Sequence, residues 1–204
     1  MSLFFKTLIE GIIQVILFSV LPLIWWLVTA RKKKSFWSFI GLKKIQCAKK
    51  NNTYVWIAGV SAAFLLLSVF MLYSVRGVET AATNFSGLKL SALPAILVYA
   101  VLKTALSEEI VFRGFILKRL SAKFGFNAGN IVQSVLFGLM HGIMFFSLTS
   151  AVKTVIIILF TGGIGWFMGY INEKKADGSI LPGWCIHSIA NIFSGICSAF
   201  MLFG

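Results

Sequence analysis

The sequence predicts an all-α membrane protein, a polytopic bundle of about six transmembrane helices. Hydrophobic residues make up 58% of the 204 residues and charged residues only 12%, whereas a soluble domain carries about 25% charged residues. Apolar stretches long enough to cross a bilayer alternate with short loops, and these loops carry most of the Lys and Arg. At this length we expect residues 1–204 to form a single transmembrane domain. The predicted spans cover approximately residues 7–30, 53–75, 90–120, 130–146, 151–172 and 180–203.

The first two spans are separated by a strongly basic loop. Span one has Glu10 near its start and Trp25 and Trp26 near its end, and the tryptophans are typical of an interfacial aromatic belt. The loops that follow spans one, three and five hold nearly all the Lys and Arg, so we expect these loops in the cytoplasm and both termini outside. A mildly polar loop with Arg76 and Glu79 joins span two to span three.

Span three carries the charges around which the chain is organised, Glu108, Glu109 and Arg113. A charge at bilayer depth costs several kcal/mol, so an intramembrane glutamate is by default a functional-site hypothesis. Glu109 and Arg113 have the i, i+4 spacing of an ion pair, while Glu108 points about 100° away and can face a polar cavity. The alternative is that both acids pair with basic groups on neighbouring helices and only hold the bundle together.

Spans four to six add the two histidines of the sequence. His141 follows Phe137 by one turn on span four, and the glycines beside it leave room for another helix or a substrate. Span five contains a Gly-x-x-x-Gly pair, which lets helix backbones approach closely. On span six, His187 and Asn191 share a helix face. Measured from the cytoplasmic helix ends, Glu108 and both histidines lie roughly 10–18 Å deep, so they can meet in one cavity.

A carboxylate, two imidazoles and an amide together suit hydrolysis. Glu108 could act as a general base on a water molecule that it shares with a neutral His141. His187 and the Asn191 amide could donate to a developing oxyanion. Glu108, His141 and His187 could equally hold Zn²⁺, which takes carboxylate and imidazole ligands and keeps one position for water.

Three motifs in this order on separate helices resemble the CPBP family, which comprises CaaX proteases and bacteriocin-processing enzymes, also called Abi proteins. The motifs are Glu-Glu-x-x-x-Arg from Glu108, Phe-x-x-x-His from Phe137 and His-x-x-x-Asn from His187. The resemblance covers about residues 92–197 as a catalytic core. Residues 1–90 would then be two additional N-terminal spans. The small size of the chain fits the members linked to bacteriocin maturation and self-immunity.

The resemblance implies an intramembrane endopeptidase with a role for each motif residue. Glu108 and His141 would activate the attacking water, and His187 and Asn191 would stabilise the oxyanion. Glu109, Arg113 and Phe137 complete the motifs and would have supporting roles. Family members have been described both as metalloproteases and as metal-independent glutamate proteases, so a Zn²⁺ cofactor stays open. The expected partners are membrane lipid and a membrane-associated peptide or protein, and the expected location is the cell membrane.

Two other functions remain as alternatives. In a proton- or ion-coupled transporter, the intramembrane glutamates and histidines would form a relay, although the sequence shows no internal repeat. A catalytically silent immunity or binding protein would use the same scaffold. Nucleic-acid binding is not expected despite the net charge of +13, because the basic residues lie in short loops between apolar segments. Cys47, Cys185 and Cys197 are too scattered for a disulfide framework or a cysteine-based zinc site.

Overall fold

The computed structural model describes residues 1–45, 50–74, 77–78 and 80–203. Cys47 and the loop residues Arg76 and Glu79, which the sequence analysis named, lie outside the described residues. Within the described ranges the chain forms helices and connecting turns and no strand, which confirms the all-α prediction. Besides a short 3₁₀ helix at Ala81–Phe85, the helices are α1 (Leu3–Thr29), α2 (Phe36–Ile40), α3 (Lys50–Ser74), α4 (Lys89–Phe124), α5 (Phe126–Phe146), α6 (Ala151–Lys175) and α7 (Leu181–Ala199).

Local sequence signals explain where several of these helices begin. The Ser2 hydroxyl accepts a hydrogen bond from the backbone N–H of Phe5 at the start of α1, and Ser150 caps α6 in the same way. Gly125, with φ +83°, makes the sharp turn between α4 and α5. Pro182 occupies the first turn of α7, where its missing N–H costs nothing.

Five of the helices in the described part of the chain are long and apolar enough to cross a membrane, namely α1, α3, α4, α5 and α6. The sixth predicted span, α7, has 19 residues and is not among them. Its histidine, asparagine and serines make it less apolar than the others. It packs against α3 and α4, and its His187 and Asn191 side chains contact α4. The chain is therefore a helical membrane protein in which α7 is a central, partly polar helix.

Helix α4 departs from the regular α-helix that the sequence analysis assumed. Two stretches, Val98–Leu106 and Ile110–Leu117, are wound as π-helix on either side of Ser107–Glu109. Segments of π-helix are rare and occur frequently at functional sites. The wider winding makes backbone carbonyls available to other partners, and that of Val101 accepts a 2.8 Å hydrogen bond from the indole of Trp184 on α7. This indole contact fixes α7 beside the Glu108 turn.

The glycines of α5 are used for packing against α6. A Cβ atom on Gly138 would lie 2.5 Å from the carbonyl oxygen of Ile158, and one on Gly142 would overlap the Ile158 side chain. The room beside His141 is therefore taken by a helix. Gln133 adds a polar contact across the same interface, because its amide donates to the carbonyl of Gly165 at 3.0 Å.

The basic loops meet at one end of the bundle. Lys43, from the loop after α2, lies 3.0 Å from Asp177, and Lys118 near the end of α4 lies 2.6 Å from Glu173. Glu173 lies in the last turn of α6, and Asp177 lies in the connection between α6 and α7. The segments after predicted spans one, three and five thus share one face of the bundle, as an alternating up-and-down arrangement requires.

Candidate active site

Helices α4, α5 and α7 bring Glu108, His141 and His187 to one point. Oε2 of Glu108 lies 4.0 Å from Nε2 of His141 and 3.7 Å from Nε2 of His187. The Glu108 side chain is 13% exposed, and its Oε2 atom has no hydrogen-bond partner among the described residues. The structure therefore gathers the three residues that the depth argument placed at a common level.

Each imidazole is oriented through its Nδ1 atom. Nδ1 of His141 lies 2.9 Å from the carbonyl oxygen of Phe137, one turn earlier on α5. Nδ1 of His187 lies 3.3 Å from Oε1 of Glu109. A carbonyl and a carboxylate can only accept, so each Nδ1 carries a hydrogen. Both Nε2 atoms then face Glu108.

Glu109 and Arg113 form a completely buried ion pair. Nη1 of Arg113 lies 2.9 Å from Oε1 of Glu109, and both side chains are 0% exposed. This confirms the pairing predicted from the i, i+4 spacing. Because the same Oε1 atom accepts from His187, Glu109 also links the guanidinium to one histidine of the cluster. The i, i+4 spacing predicts only the first of these two contacts.

Phe137 packs between the buried cation and the two imidazoles. The Cζ atom of Arg113 lies 4.1 Å from the centre of the Phe137 ring, a distance typical of a cation–π contact. The ring centres of His141 and His187 lie 4.5 Å and 5.8 Å from that of Phe137. The phenyl ring therefore sets the spacing between the ion pair and both histidines.

Asn191 lies one turn after His187, and its side chain contacts α4. Its Nδ2 atom donates to the hydroxyl oxygen of Thr104 at 2.7 Å. Among the described residues, no hydrogen bond joins Asn191 to Glu108 or His141. An amide nitrogen has two N–H donors, so one of them is not used by Thr104.

Comparison with protein families agrees with this geometry. A family model described as type II CAAX prenyl endopeptidase Rce1-like matches residues 89–193, half of the chain, and this range contains all three motifs. The chain belongs to this family. Membership makes it a membrane-embedded protease of the CAAX type, consistent with the resemblance to CPBP enzymes. Comparison with curated proteins and with solved structures finds no match.

Two residues of this Rce1-like site were missed by the sequence analysis, Asn172 and Gly183. Asn172 is fully buried in the last turn of α6, and its Oδ1 atom accepts from the backbone N–H of Gly183 at 2.9 Å. A Cβ atom on Gly183 would lie 2.5 Å from Oε2 of Glu109. The glycine thus lets α7 approach the buried carboxylate. An amide at the end of an apolar span was the available signal for Asn172.

A second intramembrane charge pair ties α1 to the protease core. Nζ of Lys103 lies 2.7 Å from Oε2 of Glu10, and the Gln14 amide donates to the Ser107 hydroxyl at 3.3 Å. Helix α1 lies outside the range that matches the family model. It nevertheless contacts two turns of α4 immediately before Glu108, so an added span supports the motif helix.

The donor types at the site suit zinc, but their spacing does not. Four tetrahedral ligands with bonds of about 2.0–2.1 Å lie about 3.3–3.4 Å from each other. The carboxylate–imidazole separations of 3.7 Å and 4.0 Å exceed that spacing. Among the described residues, no three His, Cys, Asp or Glu side chains are arranged to hold a metal ion.

Proposed function

We propose that the chain is an intramembrane endopeptidase that hydrolyses a peptide bond of a membrane-associated peptide or protein with a water molecule activated by Glu108. The observation that carries the proposal is the position of Oε2 between two imidazole nitrogens, at 3.7 Å and 4.0 Å. A direct hydrogen bond would be about 2.7–3.2 Å long. The wider separations suit a water molecule that bridges these atoms. Family membership supports the protease class.

The charges of the site balance when His187 is an imidazolium ion. In that form its Nδ1–H donates to the Glu109 carboxylate oxygen, 3.3 Å away. Glu108, Glu109, Arg113 and His187 then sum to zero net charge in an apolar interior, where an uncompensated ion costs several kcal/mol. In this state the Nε2–H of His187 is a charged donor, while a neutral His141 offers its Nε2 lone pair as an acceptor.

These groups have complementary parts in hydrolysis. The bound water donates its two hydrogens to Glu108 and His141. Glu108 takes one proton as the water oxygen attacks the carbonyl carbon. The oxyanion accepts from His187 Nε2–H and from the N–H of Asn191 that Thr104 does not use. Glu108 then delivers the proton to the departing amine, so it serves first as a base and then as an acid.

A cleavage assay with the purified chain tests this function. We expect the chain to cleave a membrane-anchored peptide. The full chain in lipid nanodiscs is incubated with a prenylated CAAX peptide and with a bacteriocin-type precursor, the substrate suggested by the resemblance in size to bacteriocin-processing members. New peptide termini are identified by mass spectrometry. Proton flux in proteoliposomes without cleavage would favour a transporter instead. Binding of the peptides without cleavage would favour a silent immunity protein.

We also propose that hydrolysis does not require a metal ion, because the three candidate ligands are spaced for a water molecule rather than for zinc. Treatment with EDTA and 1,10-phenanthroline followed by gel filtration is expected to leave the cleavage rate within about twofold, since the general base carries the reaction without a metal. Loss of activity that one equivalent of Zn²⁺ restores would contradict this prediction and make Glu108, His141 and His187 zinc ligands.

A further inference from the structure

Four basic side chains gather where the loops meet at the Lys-rich end of the bundle, well away from Glu108. They are Lys34 after α1, Lys43 after α2, and Lys118 and Arg119 near the end of α4. Lys118 follows Glu108 by ten residues along α4. A surface cavity of about 290 Å³ is lined by three of them, Lys34, Lys43 and Lys118. We name this cavity, together with Arg119, the cationic pocket.

Two of the four cations are neutralised by acids. Nζ of Lys118 lies 2.6 Å from Glu173 and also donates to the carbonyl oxygen of Gly178 at 2.7 Å. Lys43 lies 3.0 Å from Asp177, whose side chain is 59% exposed. These pairs hold the wall of the pocket in place, and among the described residues the other two cations form no ion pair.

Lys34 and Arg119 are held by an aromatic ring instead of a carboxylate. Cζ of Arg119 lies 4.1 Å and Nζ of Lys34 lies 5.5 Å from the centre of the Phe39 ring, which is fully buried. Among the described residues, neither cation has a carboxylate within 4.0 Å. The Nε atom of Arg119 is buried and has no hydrogen-bond partner there either. The pocket thus carries two cations more than acids.

The crowding of positive charge has an electrostatic cost at Lys34. Partial desolvation, together with the charges of Arg119, Lys118 and Lys43, lowers the pKa of the Lys34 ammonium group below its usual value. Lys34 lies in the loop after α1, outside the spans. A bound anion would relieve this repulsion, and the rigid, ring-supported guanidinium of Arg119 suits phosphate oxygens.

We propose that the cationic pocket binds a phosphate group, that of an anionic phospholipid in the adjoining leaflet. A phosphodiester would supply the negatively charged partner that Lys34 and Arg119 do not have among the described residues. The pocket lies where the spans end, and Trp37 of the short helix α2 is 58% exposed beside it, as expected of a side chain at the membrane surface. Basic pockets between helices on the Lys-rich side of membrane proteins bind such headgroups.

The test counts phosphatidylglycerol bound to the full chain by native mass spectrometry after release from nanodiscs of increasing phosphatidylglycerol content. Loss of one interfacial cation lowers anionic-lipid affinity about fivefold, so the double variant K34Q/R119Q is expected to bind about 25-fold more weakly than the wild type. The single variant K34Q, which changes an exposed side chain, is expected to show the fivefold effect. K32Q/K33Q removes two cations next to Lys34 in the same loop but outside the pocket, and it is expected to bind clearly more tightly than K34Q/R119Q. An equal loss in both double variants would overturn the proposal.

Inorganic phosphate distinguishes the source of the ligand. Millimolar phosphate that raises the melting temperature of the wild type in zwitterionic nanodiscs, but not that of K34Q/R119Q, would confirm the phosphate site and assign it to a soluble phosphate compound. Equal phosphatidylglycerol binding by the wild type, K34Q and the double variant would overturn the proposal. The proposal would also be overturned if K34Q/R119Q bound as much lipid as the wild type but had a raised KM for peptide cleavage. That result would make the pocket a site for a peptide carboxylate.

Discussion

Glu108→Gln is expected to lower kcat/KM for peptide cleavage by a factor of about 10²–10⁴, the usual contribution of a general base. Glutamine has the size and shape of glutamate, and it cannot take a proton from water at neutral pH. Oε2 of Glu108 has no hydrogen-bond partner among the described residues, so the substitution breaks no direct hydrogen bond at that atom. Cleavage rates are measured by quantifying both products, and the fold is checked by circular dichroism and thermal unfolding in the same nanodiscs.

The matched control for this variant is Glu10→Gln. Glu10 is also an intramembrane carboxylate, but it lies on α1, pairs with Lys103 of α4 and does not contact either histidine. The glutamine oxygen can still accept from the Lys103 ammonium, so the cleavage rate is expected to stay within about threefold of the wild type, an allowance of less than 1 kcal/mol. Full activity of Glu108→Gln, or equal losses in both variants, would contradict the assignment of Glu108 as the base.

Arg113→Ala is expected to lower the free energy of unfolding by about 3–5 kcal/mol, because it leaves the Glu109 carboxylate buried without its cation. Both members of the pair are 0% exposed, so solvent cannot compensate for the missing charge. The variant also loses the guanidinium that stacks on Phe137 at 4.1 Å. Unfolding is followed by detergent titration and by the yield of folded protein after purification.

The double variant Glu109→Gln/Arg113→Met separates the charge effect from the loss of packing. It removes both charges together and keeps side chains of similar volume, and such replacements of a buried pair are often neutral or stabilising. We therefore expect it to recover most of the stability that Arg113→Ala loses. Equal instability of the two variants would show that packing of Arg113, rather than compensation of the Glu109 charge, determines the effect.

The sequence by itself determined the fold class, the motif helices and the local pairing on α4. Composition and the length of apolar runs decide whether a helix can reside in a membrane, so the five apolar spans were accessible without coordinates. The Glu109–Arg113 pair depends on residues one turn apart on one helix, and their spacing alone places them together. Even the π-helical winding of α4, which the sequence analysis did not predict, leaves that contact intact.

Other features were decided only by the tertiary structure. The hydrogen bond between His187 and Glu109 joins residues 78 positions apart, and that between Asn191 and Thr104 joins residues 87 apart. The hydrogen bond from Lys103 to Glu10 likewise joins residues 93 positions apart. Helical periodicity gives the face on which a side chain lies, but it carries no information about the rotation and depth of one helix relative to another. Those two quantities are set by the packing of glycines and aromatic rings between helices, and they determine which atoms meet Glu108.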